Sequence, residues 1–407
     1  MRILILTHSF PPEVRSTSNM MHELAEDLVE YGHTVTVVTP IPRYNVAEID
    51  PKYRGKLWRV EQVGGIRVIR VRSFWIHFVG PVRRGLGQLG LAAIFALAGI
   101  FAGRQDVIFA YSPPLTLGLS CYVLARLNRV PYVFNVQDLF PQNAIDLGLL
   151  RNRHLILAFR ILEKFIYRTA GVITVHSDGN QQYVQSFGTR PDGVRVFENW
   201  TDVRSLTYRP GKKSFYPEPE IGAKFTVLFA GVLGYAQDMD VIVDAAKLLR
   251  DDGEILFLIV GSGVEKKRME ERCRAEGIGN VIFRDFVPKE EYPALVQSCD
   301  VCLATLRKEM KTPVVPSKII HVMACGRSMI ASLDPDGDAA KLVESARCGL
   351  CVPPGDGLQL SLAIKRLKEQ PGLRLQMQEN GYRYALEHFD RKQVTGRYDA
   401  LFRNLRS

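Results

Sequence analysis

The residues best suited to chemistry lie at Pro316-Ser317-Lys318. Pro316 fixes its own φ, Ser317 can serve as N-cap, and Ile319-Ile320-His321-Val322-Met323-Ala324 continues a helix. Gly326 then stops it before the β-type run Ser328-Met329-Ile330-Ala331. Such a helix points backbone N–H groups and the positive end of its dipole at whatever lies before Ser317, and Lys318 adds a full charge. The implied chemistry is anion binding, phosphate above all. The same pattern also fits one more helix–strand unit of an α/β sheet with no ligand at all.

Recurrence separates the two readings. The turns Gly231-Val232-Leu233-Gly234 and Gly261-Ser262-Gly263 each follow an apolar strand-like run and precede a helix, so backbone can approach a ligand closely there. One such turn is weak evidence. Two of them, with the Pro316-Ser317-Lys318 helix start, all at strand ends of one sheet, argue for a nucleotide-diphosphate site. Asp138 follows the strand-like run Tyr132–Val136, where a carboxylate sits at the mouth of a ligand crevice. It is a candidate for orienting a reacting hydroxyl, or else a satisfied structural carboxylate.

The elements that must hold these residues read as two doubly wound units. Arg2–Thr7, a loop, the amphipathic run Asn19–Tyr31 and the strand Thr34–Thr39 form a βαβ opening, which commits the chain to a parallel sheet. Further strands are expected at Val68–Val71, Val107–Ala110, Tyr132–Val136, Gly171–Val175 and Val194–Phe197. A second series begins at Thr226–Ala230 and continues at Leu256–Val260, Val281–Phe283, Val301–Ala304, Ser328–Ala331 and Leu350–Val352. A length of 407 residues suits two domains. The expected division is 1–205, then 206–385, with 386–407 as a closing helix.

Net charge is +10, and it is uneven: residues 1–205 hold 23 Lys+Arg against 16 Asp+Glu, and the remainder 30 against 27. A basic first half could face nucleic acid, anionic lipid or a phosphorylated substrate. No stacking-aromatic motif or basic dimerisation helix supports nucleic acid. Seven cysteines and an opening directly on a strand point to a reducing cytoplasm. The pairs Cys299/Cys302 and Cys348/Cys351 raise a zinc reading, but each overlaps an apolar segment, which favours buried core thiols. Residues 86–102 form the most apolar run, preceded by Phe74, Trp75, Phe78, Arg83 and Arg84. It lies between two sheet strands, so it is either a buried helix or one whose outer face rests on an anionic membrane surface.

The stretches HSFPPE (8–13), HELAEDLVEYGHTVTVVT (22–39), VQDLFPQNAIDLGLL (136–150), FENWTD (197–202), FAGVLGYAQDMD (229–240), IVGSG (259–263), PSKIIHVMACG (316–326) and CGLCVPPGD (348–356) stand in one order. In that order they resemble the family 4 retaining glycosyltransferases of the GT-B fold, over nearly the whole chain. The branch they look closest to builds lipid-linked bacterial surface polysaccharides, such as the N-acetyl-fucosamine transferases of O-antigen and capsule pathways.

The resemblance implies two Rossmann-like domains facing across a cleft. A nucleotide-sugar donor, usually UDP-linked, would bind the second domain, and a polyprenyl-diphosphate-linked saccharide would sit on a membrane-facing first domain. No metal or other cofactor is implied. The place would be the cytoplasm, at the inner face of the plasma membrane. Ser317, Lys318, Gly231 and Gly234 would then hold the leaving diphosphate, Gly261 and Gly263 would line the donor site, and Arg15 would meet the diphosphate from the first domain. Val287 lies in the loop that grips the nucleobase. His321 stands where the family often has a glutamate on the ribose, and it could also be a plain helix histidine. Pro313, Val232 and Gln237 replace another glutamate and two cations of the family pattern. Two other readings share the fold: an NDP-sugar 2-epimerase and a non-catalytic subunit.

Overall fold

A computed structural model describes residues 1–13, 15–42, 50–72, 81–206, 208, 221 and 223–406. The chain divides into two units. Met1–Glu198 and Arg391–Ser407 form the first, and Asn199–Asp390 the second.

In the first unit the strands are β1 (Arg2–Leu6), β2 (Thr34–Pro40), β3 (Trp58–Val63), β4 (Ile66–Val71), β5 (Val107–Ser112), β6 (Tyr132–Val136), β7 (Val172–Val175) and β8 (Val194–Val196). They form one sheet in the order β3-β4-β2-β1-β5-β6-β7-β8, parallel except for the antiparallel β3–β4 pair. Strands covered by helices on both faces read as continuous apolar runs, and Ile3, Leu4, Ile5 and Leu6 are fully buried. Chain order reverses between β1 and β5, so the loops after these two strands border a crevice at their C-terminal ends.

The second unit holds β9 (Phe225–Ala230), β10 (Ile255–Val260), β11 (Val281–Arg284), β12 (Val301–Thr305), β13 (Ser328–Ser332) and β14 (Gly349–Val352). All run parallel, in the order β11-β10-β9-β12-β13-β14, which puts the reversal between β9 and β12. Cys299, Cys302 and Cys348 are buried in the apolar core beside these strands, and burial pushes the Cys302 thiol well up.

The helix Arg391–Arg406 returns to the first unit and packs on the helix Ser16–Glu30. Its anchor is Asp27, whose fully buried carboxylate accepts from Arg391 Nη2 at 2.7 Å, Lys392 Nζ at 2.6 Å and Thr395 Oγ1 at 2.8 Å. Burial alone would raise this carboxyl, but the hydrogen bonds from Arg391, Lys392 and Thr395 carry it below its ordinary value. A depressed carboxyl stabilises the fold above its unfolded pKa, and that stabilisation is lost as pH falls through the folded one. Replacing Asp27 with asparagine leaves two cations facing a neutral amide and should cost about 3 kcal/mol or more in urea unfolding at neutral pH. A cost under about 1 kcal/mol would show the cluster to be no more than a surface network. A second tie is polar and buried: Asn135 Nδ2 donates to the Tyr398 hydroxyl at 3.0 Å and to Thr174 Oγ1 at 2.9 Å.

Candidate functional site

In the second unit the loop after β9, residues 231–238, borders the reversal point. The helix Ser317–Ala324 follows β12 through the segment 306–316. Sequence reasoning makes Ser317 the N-cap; the structure gives that place to Pro316, and Ser317 is the first helical residue. The cause is Pro316's backbone at φ −58° and ψ 127°, which is extended, while its carbonyl already accepts from Ile319 N–H at 3.0 Å. No side chain caps this end. Gly326 closes the helix at φ +63°, a conformation glycine takes without strain.

Lys318 reaches back under the loop. Its Nζ lies 3.5 Å from the centre of the Phe229 ring and donates to Gln237 Oε1 at 3.3 Å. It also sits 3.4 Å from the point a Cβ would occupy on Gly231. Phe229 is fully buried on β9, so the ammonium rests on an aromatic floor with one neutral amide as its polar contact here. That desolvation lowers the Lys318 pKa from 10.5 to about 7. Such a cation is short of negative charge, and an arriving diphosphate would supply it.

The two glycine turns have a different reason from the one their sequence suggests. A Cβ on Gly261 would lie 1.9 Å from Gly231 O, and one on Gly263 would lie 2.2 Å from Leu233 O. Both glycines have φ near +150°. The turns after β9 and β10 lock against each other through backbone, with Leu233 N–H donating to Ser262 O at 3.0 Å and Glu265 N–H to Leu233 O at 3.1 Å. Gly261 and Gly263 thus support the Gly231–Leu233 loop from behind. Gly234 has only ordinary contacts around its missing side chain.

His321 Nδ1 lies 2.7 Å from Ser317 O, one helical turn back. A carbonyl can only accept, so Nδ1 carries the proton. Tyr292 meets the ring edge-on at 6.0 Å. Val287, in the loop after β11, packs partly buried against the core and follows the exposed Phe286.

Sequence reasoning passed over a pair of charged residues, Arg307 and Asp238, at the same strand ends. Arg307, just beyond β12, has its backbone N–H on Ala236 O at 3.0 Å, and its side chain lies 3.5 Å from Glu265. Asp238 caps the helix Met239–Leu248 through Val241 N–H, and desolvation raises its carboxyl. These contacts brace the 231–238 loop. Two residues this far apart in sequence carry no local signal of meeting.

The remaining candidates belong to the first unit. Gln137 and Leu139 are pinned: Gln137 Nε2 donates to Asn135 Oδ1 at 2.9 Å, and Leu139 is buried in the core. Asp138 between them is exposed. Arg15 ends the loop after β1, and its carbonyl accepts from Asn19 N–H as the helix Ser16–Glu30 begins. His8 was not singled out by sequence. Burial, and then the Arg15 cation, lower its pKa to about 4, so it is a neutral imidazole beside Tyr111 at the β1–β5 reversal. The aromatic and arginine cluster Phe74, Trp75 and Phe78 lies outside the described residues, as do the side chains of Arg83 and Arg84.

A family model described as a glycosyl transferase 4-like domain matches residues 17–200, and one described as glycosyl transferases group 1 matches residues 212–384. WcaI of Escherichia coli K12, whose name places it as a glycosyl transferase in colanic acid biosynthesis, is 23% identical over 87% of this chain and 89% of its own length. The glycosyltransferase WbjE of Pseudomonas aeruginosa is 25% identical over 70% of this chain and 72% of its own. Among solved structures, sucrose-phosphate synthase from Thermosynechococcus elongatus superposes with a TM-score of 0.76 at 18% identity, over 100% of this chain and 99% of its own. Anabaena HepE in complex with UDP gives 0.71 at 18% identity, over 99% and 100%.

Proposed function

The chain carries a glycosyl transferase 4-like domain followed by a glycosyl transferases group 1 domain, and from that premise we propose that it moves a deoxy or N-acetylated hexose from a UDP-sugar to a polyprenyl-diphosphate-linked saccharide. Transfer proceeds with retention at the anomeric carbon, without a metal ion, at the cytoplasmic face of the plasma membrane. The observation that carries the reading is Lys318, a cation with one neutral amide contact at a strand-reversal point, beside an uncapped helix end. Support comes also from HepE, solved with UDP and with UDP-glucose, and from WcaI, named for colanic acid biosynthesis.

As the glycosidic bond breaks, negative charge gathers on the leaving diphosphate. Lys318 and the backbone N–H groups of Ser317 and Gly234 neutralise it, the service a metal ion performs in other transferases, while Gly231, whose own N–H donates to Val260 O at 2.9 Å, leaves room for the ammonium. The His321 ring meets a ribose hydroxyl, and backbone near Val287 holds the base. Arg15 adds a second cation for phosphate. Asp138 orients the acceptor hydroxyl and takes up its proton as the new bond forms.

The test is a thermal-shift series with UDP, GDP, dTDP and ADP in EDTA. At a hundred times its Kd, a ligand stabilises by ~2.7 kcal/mol. UDP alone should raise the midpoint; no shift with any nucleotide would sink the reading.

The same assay has a pH signature. Above pH 7 the free Lys318 is increasingly neutral, yet a diphosphate binds the ammonium, so binding must take up a proton. UDP affinity should therefore fall between pH 7 and 9, approaching tenfold per unit, while the diphosphate itself stays fully ionised. Stability without ligand runs the other way. The cost of the buried charge is fully present below about pH 7 and relaxes as pH rises toward 10.5. Affinity that stays flat from pH 7 to 9 would mean that the Lys318 amine stays charged through that range and is not desolvated in solution.

A further inference from the structure

Three helices of the first unit, Pro81–Phe101, Leu117–Asn128 and Arg153–Thr169, cover the same side of the sheet and share one core through Phe95, Leu124 and Ile166. They pack closely. Ser120 Oγ donates to Ala92 O at 2.7 Å, and a Cβ on Gly99 or Gly118 would strike Leu124 or Ile166 at 2.4 and 2.5 Å.

With their inner faces buried, the outer faces should be polar in a protein that meets only water. They are not. The first helix exposes Leu89, Leu97, Ile100 and Phe101, and the second exposes Val123 and Leu127. The third exposes Leu157, Ile161 and Phe165, one helical turn apart, with Ile161 62% open. Helices that share one core thus each turn apolar side chains outward, and exposed apolar patches mark interaction sites.

Its charge is one-sided. These helices hold a single carboxylate, Glu163, and it is fully buried with its salt bridge to Arg160. Arg126, Arg153, Lys164 and Arg168 are exposed around the apolar stripe. No helix among the described residues is long and apolar enough to cross a membrane.

We infer that this three-helix face lies on the surface of an anionic bilayer, with Leu157, Ile161 and Phe165 in the interface and the cations at the headgroups. An apolar stripe flanked only by cations fits a negatively charged, apolar-cored surface. A protein partner would have to supply the whole counter-charge itself. The inference deepens the proposed action on a lipid-linked acceptor, and each can fail without the other.

The experiment is sedimentation of the full chain with phosphatidylcholine vesicles, with and without phosphatidylglycerol. Wild type should bind the anionic vesicles, and binding should weaken with salt. Leu157→Glu with Ile161→Glu should reduce partitioning roughly tenfold or more, while Arg153→Ala with Lys164→Ala and Arg168→Ala should erase the preference for phosphatidylglycerol. Leu358→Glu with Leu362→Glu, on exposed leucines of the second unit, should change nothing. A cooperative unliganded melt near the wild-type midpoint shows that each variant is folded. If the glutamate pair fails that check, the cation variants and the wild-type lipid preference still decide. Wild type that ignores anionic vesicles, or a folded glutamate variant that binds as wild type, overturns the inference. So does a dimer that the glutamate variant turns into a monomer, since a second copy would then cover the face.

Discussion

Replacing Lys318 with alanine should lower sugar transfer by at least about a hundredfold and abolish the UDP-induced thermal shift. Removing one preorganised donor from a developing negative charge costs about a hundred- to a thousandfold in kcat. The contacts the variant loses without ligand are slight: one 3.3 Å bond to Gln237 and a cation over the Phe229 ring. A cation over an aromatic ring contributes about 2 kcal/mol or more when desolvated, and removing the cost of desolvating the charge offsets it. The unliganded variant should therefore melt within a few degrees of wild type, and below pH 7 slightly above it. A variant that keeps the UDP shift and the transfer rate would show that Lys318 is a core lysine. A large fall in the unliganded midpoint would show that its work is structural.

Replacing Gly261 with alanine should cost about 4 kcal/mol or more in urea unfolding and remove nucleotide binding in whatever fraction still folds. The new methyl would sit 1.9 Å from Gly231 O, at a backbone φ of +149° that side chains rarely adopt. Neither partner can yield cheaply, because the obstructing atom is backbone at the edge of two paired strands. Strain and overlap together belong to the rare class of substitutions costing more than about 4 kcal/mol. Gly234→Ala is the control, with its nearest contact an ordinary 3.6 Å, and it should stay within about 1 kcal/mol of wild type. Equal stability of the two variants would mean the turns are not locked together in solution.

The two sheets were legible because parallel strands buried on both faces are written as unbroken apolar runs: RILIL at β1, ILFLIV at β10. The edge strand β3, WRVEQV, was not read. It is half exposed, carries charge, and pairs antiparallel with β4, so its stability comes from that partner. At the site, the helix start and its lysine were visible, but the depth of the amine was not, since Phe229 and Gln237 reach Lys318 only after folding. The glycine pairs announced a backbone demand without saying whose; the demand comes from the neighbouring turn. The exposed stripe on Arg153–Thr169 was hidden for a similar reason. Periodicity shows that a helix has an apolar face, and only packing shows that Ile166 and Tyr167 fill the core while Ile161 and Phe165 stay outside.

The return of Arg391–Arg406 to the first unit orders events during synthesis. A ribosome completes the contiguous second unit while the first still lacks its last helix. Until residues 391–398 emerge, Asp27 has none of the cations and hydroxyl that neutralise it, and Asn135 lacks the Tyr398 hydroxyl. The half of the chain made first is thus finished last. At about 5–20 residues per second, it spends on the order of ten seconds or more as a sheet whose Asp27 lacks these partners. A premature stop before Tyr398 would leave a complete second unit joined to a first one that lacks at least one of these ties.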